Sequence, residues 1–144
     1  MNEHTEELIR AAIEARKNSY SPYSKFAVGA AVLTLAEEPK IFTGCNIENA
    51  SYGLTICAER TAIFSAVSQG YRSIEAIAIV AAQEMPYPCG ACRQVLSEFA
   101  ASPGIPVYVV KLGDDGEILE SEEDTLEGLL PKSFCLNELK EQND

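Results

Sequence analysis

Ile74-Glu75-Ala76-Ile77-Ala78-Ile79-Val80-Ala81-Ala82 is almost wholly apolar. A strand with one wet face alternates apolar and polar residues, whereas this run presents apolar side chains in both directions, as a strand covered on both faces should. Helices are therefore expected on either side of the sheet that holds it, and this decides the fold class. Upstream, Thr55 to Ser68 reads as a helix, capped by Thr55 and stopped by Gly70. Downstream, Cys89 to Ala101 reads as another helix, entered through Pro88, a residue favoured near helix starts.

The same reading extends to both ends. Thr5 to Lys17 is a helix with Thr5 as its cap, and Leu8, Ile9, Ala12, Ile13 and Arg16 share one face. Ser19 to Ser24 is a loop, because Pro22 disfavours helix at Ser21. Phe26 to Leu35 and Lys40 to Ile47 form a hairpin around Ala36-Glu37-Glu38-Pro39. Pro106 to Leu112 is a strand, followed by the turn Gly113-Asp114-Asp115-Gly116. Glu117 to Leu119 is at best a short strand, and Thr125 to Leu130 is a short helix before Pro131. The tail from Glu138 is expected to fray. The order αββαβαββα predicts one α/β domain over residues 1–144, a three-layer α/β/α arrangement with a mixed five-stranded sheet.

Composition narrows the function. Of 144 residues, 47% are hydrophobic and 23% charged, as in an ordinary globular domain. The net charge is −11, from 22 acidic and 11 basic residues, and no Lys/Arg cluster interrupts it. Long nucleic acids and anionic membranes are poor partners for such a surface, because phosphate neutralisation needs a basic footprint. No apolar run approaches the roughly 20 residues of a membrane helix. The acidic start, Met1-Asn2-Glu3-His4-Thr5, does not read as a secretory signal. A cytoplasmic, reducing setting is therefore expected, where cysteines serve metals or catalysis more often than disulfides.

Two short motifs carry the chemistry: Cys57-Ala58-Glu59-Arg60 and Pro88-Cys89-Gly90-Ala91-Cys92. Each falls in the first turn of an expected helix. Helix N-termini carry partial positive charge and spare N–H groups, which favour thiolate, the form that binds zinc. Cys-x-x-Cys spacing lets Cys89 and Cys92 reach one ion, with Cys57 as a third ligand. A structural zinc site is normally closed by four protein ligands, whereas a catalytic one leaves a position open to water. Three thiolates and one Zn2+ leave a net charge of −1, which makes a bound water harder to ionise. Arg60 is expected to offset this by donating hydrogen bonds to the thiolates. Glu59, two residues beyond a ligand, suits a proton carrier better than a fourth ligand. Cys45 and Cys135 match no ligand spacing and read as buried small hydrophobes. His4 is the only histidine, so no Ser-His or Cys-His nucleophile can be assembled.

With these residues in place, the chain closely resembles the cytidine deaminase family in its small, homotetrameric, three-cysteine zinc form. The resemblance is carried by Phe26-Ala27-Val28-Gly29-Ala30-Ala31, Gly44-Cys45-Asn46-Ile47-Glu48-Asn49-Ala50, Cys57-Ala58-Glu59-Arg60-Thr61-Ala62 and Pro88-Cys89-Gly90-Ala91-Cys92-Arg93-Gln94. It implies hydrolytic deamination of free cytidine and deoxycytidine in pyrimidine salvage. Glu59 would take a proton from the attacking water and pass protons to the ring nitrogen and the departing amine. The resemblance also implies a ribose-binding pair in Asn46 and Glu48, and an aromatic beside the pyrimidine in Phe26. Ala58 would touch the substrate. Ala50, Tyr52 and Phe134 would complete sites shared between subunits of a homotetramer. The Glu48 carboxylate would repel a nearby phosphate, which favours a nucleoside over a nucleotide.

Two segments depart from the family pattern. Gln83 to Tyr87 is shorter than the usual connection, with Tyr87 where a small or polar residue is common. Lys132-Ser133 replaces small residues before Phe134. Two other readings remain at this stage: a deaminase for an altered cytosine nucleoside, and a zinc-stabilised binding module without catalysis. The binding module would call for a fourth ligand and no Glu59.

Overall fold

The computed structural model describes residues 3–136. The fraying expected from Glu138 lies outside the described residues. Five strands form one sheet: β1 (Val28–Thr34), β2 (Ile41–Cys45), β3 (Ile74–Ala82), β4 (Pro106–Leu112) and β5 (Ile118–Thr125), in the order β2-β1-β3-β4-β5. β3 and β4 run parallel, while the other three pairings are antiparallel. Helix α1 (Glu3–Arg16) covers one face, α2 (Ala58–Ser68) and α3 (Gly90–Phe99) pack on the other, and α4 (Leu126–Leu129) follows β5. The expected three-layer α/β/α class with a mixed sheet is what forms.

The central strand shows why. Ile77, Ile79 and Ala81 enter the cluster under α2 and α3, whereas Ala76, Ala78 and Val80 enter the cluster under α1. Small residues predominate on the α1 side, so that helix sits close to the sheet. Gly29 on β1 sharpens this, because a Cβ there would stand 2.1 Å from the Ala12 carbonyl oxygen of α1. Gly44 on β2 does the same for α2. A Cβ at Gly44 would lie 2.4 Å from the Ala62 nitrogen and 2.7 Å from the Ala58 oxygen. The helix that begins at Ala58 is thus seated directly on the sheet through a missing side chain.

Several expected boundaries move for identifiable reasons. Thr5 does not cap α1. The helix already runs at Glu3, and Thr5 is buried inside it, donating its hydroxyl to Tyr108 Oη at 3.3 Å. Thr55 does not cap α2 either. Its hydroxyl accepts from the Asn49 N–H at 3.2 Å, and Ile56 exchanges two backbone hydrogen bonds of 3.0 Å with Ile47. That bridge holds the chain extended until Cys57, so tertiary pairing overrides the local capping preference. The stop at Gly70 forms as expected: at φ 98°, the Gly70 N–H bonds to the Val67 oxygen and the Tyr71 N–H to the Ala66 oxygen.

The largest difference is β5. It extends over Ile118–Thr125 and includes Glu120, Glu122, Glu123 and Asp124. Acidic residues are poor strand formers, but at a sheet edge their charge discourages pairing with a second chain. The β1 and β2 strands are each trimmed at both ends relative to expectation; at the Val28/Cys45 end, the Asn46 side chain binds the Val28 N–H, the Phe26 oxygen and the Ser19 hydroxyl.

Candidate active site

The three cysteines converge at the starts of two helices. Cys57 is the N-cap of α2 (φ −78°, ψ 154°) and Cys89 the N-cap of α3 (φ −69°, ψ 166°), one residue earlier than first-turn positions. Cys92 lies in the first turn of α3 and is buried. Neither sulfur makes a capping bond to a backbone N–H of its helix, which leaves both to meet other side chains. Cys57 Sγ and Cys89 Sγ are 3.9 Å apart, and Cys89 Sγ and Cys92 Sγ are 3.4 Å apart. Tetrahedral zinc with bonds of about 2.3 Å would set its sulfurs about 3.8 Å apart. All three sulfurs lie within 4.8 Å of one another. The donor set therefore fits a single zinc ion, with Cys57, Cys89 and Cys92 as its protein ligands.

The electrostatics support that fit. Arg60 Nη2 donates to Cys57 Sγ at 3.4 Å. Among the described residues, Arg60 Nε is buried with no hydrogen-bond acceptor, an orphan donor facing an anionic corner. Without metal the cysteines share charge unequally. The Cys57 thiol is lowered to about 5, first by a hydrogen bond with Cys92 and then by Arg60. Cys92 is pushed up by its hydrogen bond with Cys57 and by burial. The Arg60 guanidinium is held charged more firmly than usual by the same thiolate.

Glu59 lies against this triad, close enough to interact with Cys57 and Cys92. It is only 6% exposed, and burial raises its carboxyl to about 7, with the Cys57 thiolate adding to the rise. A carboxyl that is neither firmly charged nor firmly neutral near physiological pH is suited to receive and return a proton. It opens on a cavity of about 270 Å³ that brings together Phe26, Asn46, Glu48, Cys57, Ala58, Glu59 and Cys89.

Two of these side chains already have structural partners. Asn46 Oδ1 accepts from the Val28 N–H at 2.9 Å and from the Ser19 hydroxyl, while Nδ2 donates to the Phe26 oxygen at 2.7 Å. Asn46 thus pins the segment carrying Phe26 and keeps one amide N–H in reserve. Glu48 accepts from the Tyr23 N–H at 2.9 Å, the Ser24 N–H at 3.1 Å and the Ser24 hydroxyl. The Ser24 hydroxyl in particular holds its carboxyl below the usual range, so Glu48 is anionic.

Other expected residues stand apart. Ala50, Tyr52 and Phe134 do not line this cavity. Tyr52 is 73% exposed and meets Tyr23 edge-on at 5.8 Å, while Phe134 is 66% exposed, its carbonyl accepting from Gln94 Nε2 at 3.0 Å. Cys45 is half-buried and Cys135 is exposed, so the expectation of two buried thiols fails for Cys135, on the surface segment after Pro131. Conversely, Ser24, Ile56, Pro86 and Tyr87 reach the cavity wall without having been singled out as binding residues. Only Tyr87 had a visible signal, as a bulky residue in a short loop beside a ligand. Its hydroxyl donates to Glu122 Oε2 at 2.9 Å, tying that loop to β5.

Residues 2–108 match the family profile described as the cytidine and deoxycytidylate deaminase zinc-binding region. The chain belongs to the cytidine and deoxycytidylate deaminase family. It is 51% identical over 135 residues to a cytidine deaminase of Sporosarcina psychrophila, covering 93% of each chain. It is 48% identical over 136 residues to one from Halalkalibacterium halodurans, covering 93% of this chain and 96% of the other. Its fold superposes on the crystal structure of a cytidine deaminase from Burkholderia pseudomallei with a TM-score of 0.79, at 44% identity, covering 93% of this chain and all of that one. The segment matched to the family includes Glu59 and the whole cysteine triad but stops before Phe134.

Proposed function

We propose that this chain is a zinc-dependent cytidine deaminase that hydrolyses free cytidine and deoxycytidine to uridine and deoxyuridine with release of ammonia. The observation that carries this is the buried Glu59 carboxyl, set beside three converging cysteines, two of which, Cys57 and Cys89, line the same cavity as Glu59. Cys57, Cys89 and Cys92 would hold the zinc ion. When bound, zinc supplies Lewis-acid chemistry that makes a water nucleophilic near neutral pH.

The protein's own residues do the rest. Glu59 accepts a proton from the attacking water and delivers it to the ring nitrogen of the pyrimidine. It then carries the second proton to the departing amine, so that one water enters and one ammonia leaves. Arg60 keeps Cys57 as thiolate and offsets the negative charge of the triad. Phe26 offers an apolar wall to the pyrimidine, and Ala58 leaves room beside it. The spare N–H of Asn46 and the remaining acceptor sites of Glu48 suit ribose hydroxyls. An anionic Glu48 disfavours a phosphate on that sugar, which selects the nucleoside.

Further parts of the reading rest on family membership and on surface composition. Tyr52, Leu54 and Phe134 leave large apolar side chains in water, at 73%, 71% and 66% exposure. A homotetramer that buries them, with Ala50, Tyr52 and Phe134 reaching neighbouring sites, accounts for this cost. We place the enzyme in pyrimidine salvage in the cytoplasm. Among the described residues no helix is long and apolar enough to cross a membrane. A Glu59→Gln variant tests the mechanism: it should keep one zinc per chain and lose about 10²- to 10⁴-fold in kcat. Equal turnover at equal zinc content would remove Glu59 from its role.

A further inference from the structure

The three cysteines are not equally well held. Cys92 is fully buried, and Cys57 is gripped by Arg60. Cys89 is exposed and extended at the N-cap; α3 holds its carbonyl through the Arg93 N–H at 3.0 Å but gives its sulfur no capping bond. The loop before it turns sharply at Gln83, where φ is 75°. Pro88, immediately preceding Cys89, has no N–H, so its carbonyl is the one backbone group by which that buried residue can be tied.

That carbonyl has a specific partner. Arg93 Nε donates to the Pro88 oxygen at 2.7 Å, and Arg93 Nη1 donates to the Leu129 oxygen at 2.8 Å. One guanidinium thus joins the peptide carrying Cys89 to the end of α4. The next turns of α3 continue the attachment, through Gln94 Nε2 to the Phe134 oxygen at 3.0 Å and Ser97 Oγ to Ser133 Oγ at 3.4 Å.

We propose that Arg93 is a positioning residue for the metal centre: by bridging the Pro88 and Leu129 carbonyls it fixes the Cys89 sulfur and braces the zinc end of α3 against the end of α4. The inference rests on Cys57, Cys89 and Cys92 being the zinc ligands. The planar fork of arginine is what allows one side chain to serve two carbonyls on different elements. A lysine keeps the charge but presents a point donor. The arrangement therefore predicts a defect in Arg93→Lys as well as in Arg93→Gln. An arginine acting only as a counter-charge to the thiolates would be replaced by lysine without loss.

Zinc release from the loaded protein into excess chromogenic chelator tests this directly, with no need for turnover. Wild type, Cys89→Ser, Arg93→Gln, Arg93→Lys and Ile105→Val are compared. Ile105 is buried in the core cluster, its carbonyl accepting from the Leu126 N–H at 3.1 Å, and serves as a control for general loss of stability, including at the start of α4. Arg93→Gln should release zinc about 10- to 100-fold faster than wild type, the usual cost of losing an outer-shell partner. Arg93→Lys should fall between them, and Ile105→Val should match wild type. Release from Arg93→Gln at the wild-type rate, or no faster than from Ile105→Val, would overturn the proposal. So would full rescue by lysine. If wild type binds no zinc, or Cys89→Ser retains it like wild type, the ligand assignment itself fails and the proposal falls with it.

Discussion

Replacing Gly44 by alanine adds one methyl group between β2 and the start of α2. The new Cβ would stand 2.4 Å from the Ala62 nitrogen, 2.7 Å from the Ala58 oxygen and 2.8 Å from the Thr61 Cβ. Ordinary contacts begin about 1 Å further out, and two of the three atoms are helix backbone that cannot swing aside. The helix must retreat. Overpacking of this kind typically costs about 1–3 kcal/mol, which for a chain of this length lowers Tm by roughly 3–12 °C. The retreat also moves Cys57 and Glu59, which sit at the same end of α2. A displacement near 1 Å at a reacting group costs on the order of 100-fold in rate. Gly44→Ala should therefore lose kcat well beyond what its residual folded fraction explains. The assay is thermal unfolding, zinc per chain and ultraviolet loss of cytidine on one preparation, with Gly104→Ala beside it. Gly104 has nothing within 4 Å of its added Cβ and should be silent. A Gly44→Ala protein with wild-type Tm and wild-type kcat would refute the argument that α2 is seated through this glycine.

Other outcomes follow from the same geometry. In metal-stripped protein Cys57 is lowered to about 5 and is already thiolate at neutral pH, whereas Cys92 is raised and keeps its proton. Zinc binding must then expel protons, and apparent affinity should rise with pH; calorimetry in buffers of different ionisation enthalpy would detect this, and a buffer-independent heat would count against it. Removing the Tyr87–Glu122 hydrogen bond with Glu122→Gln should return the Tyr87 phenol downward toward its ordinary value, since that carboxylate is the main cause of its rise; an unchanged tyrosinate titration would deny the contact. Sedimentation should find an assembly larger than a monomer at assay concentration, and fully active monomers would contradict sites shared between subunits.

What was legible in the sequence follows physical lines. The run from Ile74 to Ala82 announced a strand covered on both faces because burial on both sides leaves no polar alternation. The cysteine motifs were legible because ligands clustered at helix starts need short, fixed spacing. The caps were not. Thr5 and Thr55 look like N-caps locally, but Tyr108 and Asn49, distant in sequence or across a loop, claim their hydroxyls. Most of β5 was hidden because Glu120 to Asp124 lack strand propensity and form a strand only as a charged edge beside β4. At the site, Asn46 and Glu48 could be placed by family motif. Their partners Ser19, Ser24 and Val28 could not, since loop residues announce no spacing. Tyr52 and Phe134 remain exposed in a single chain, so their proposed part depends on surfaces that one chain does not contain.

Zinc dependence of cytidine turnover tests the central claim most directly. Protein purified with zinc should hold one ion per chain and convert cytidine to uridine with one ammonia released per nucleoside. Activity should disappear when chelator removes the metal and return when zinc is restored. Folded, zinc-loaded protein that leaves the ultraviolet absorbance of cytidine and deoxycytidine unchanged would contradict it.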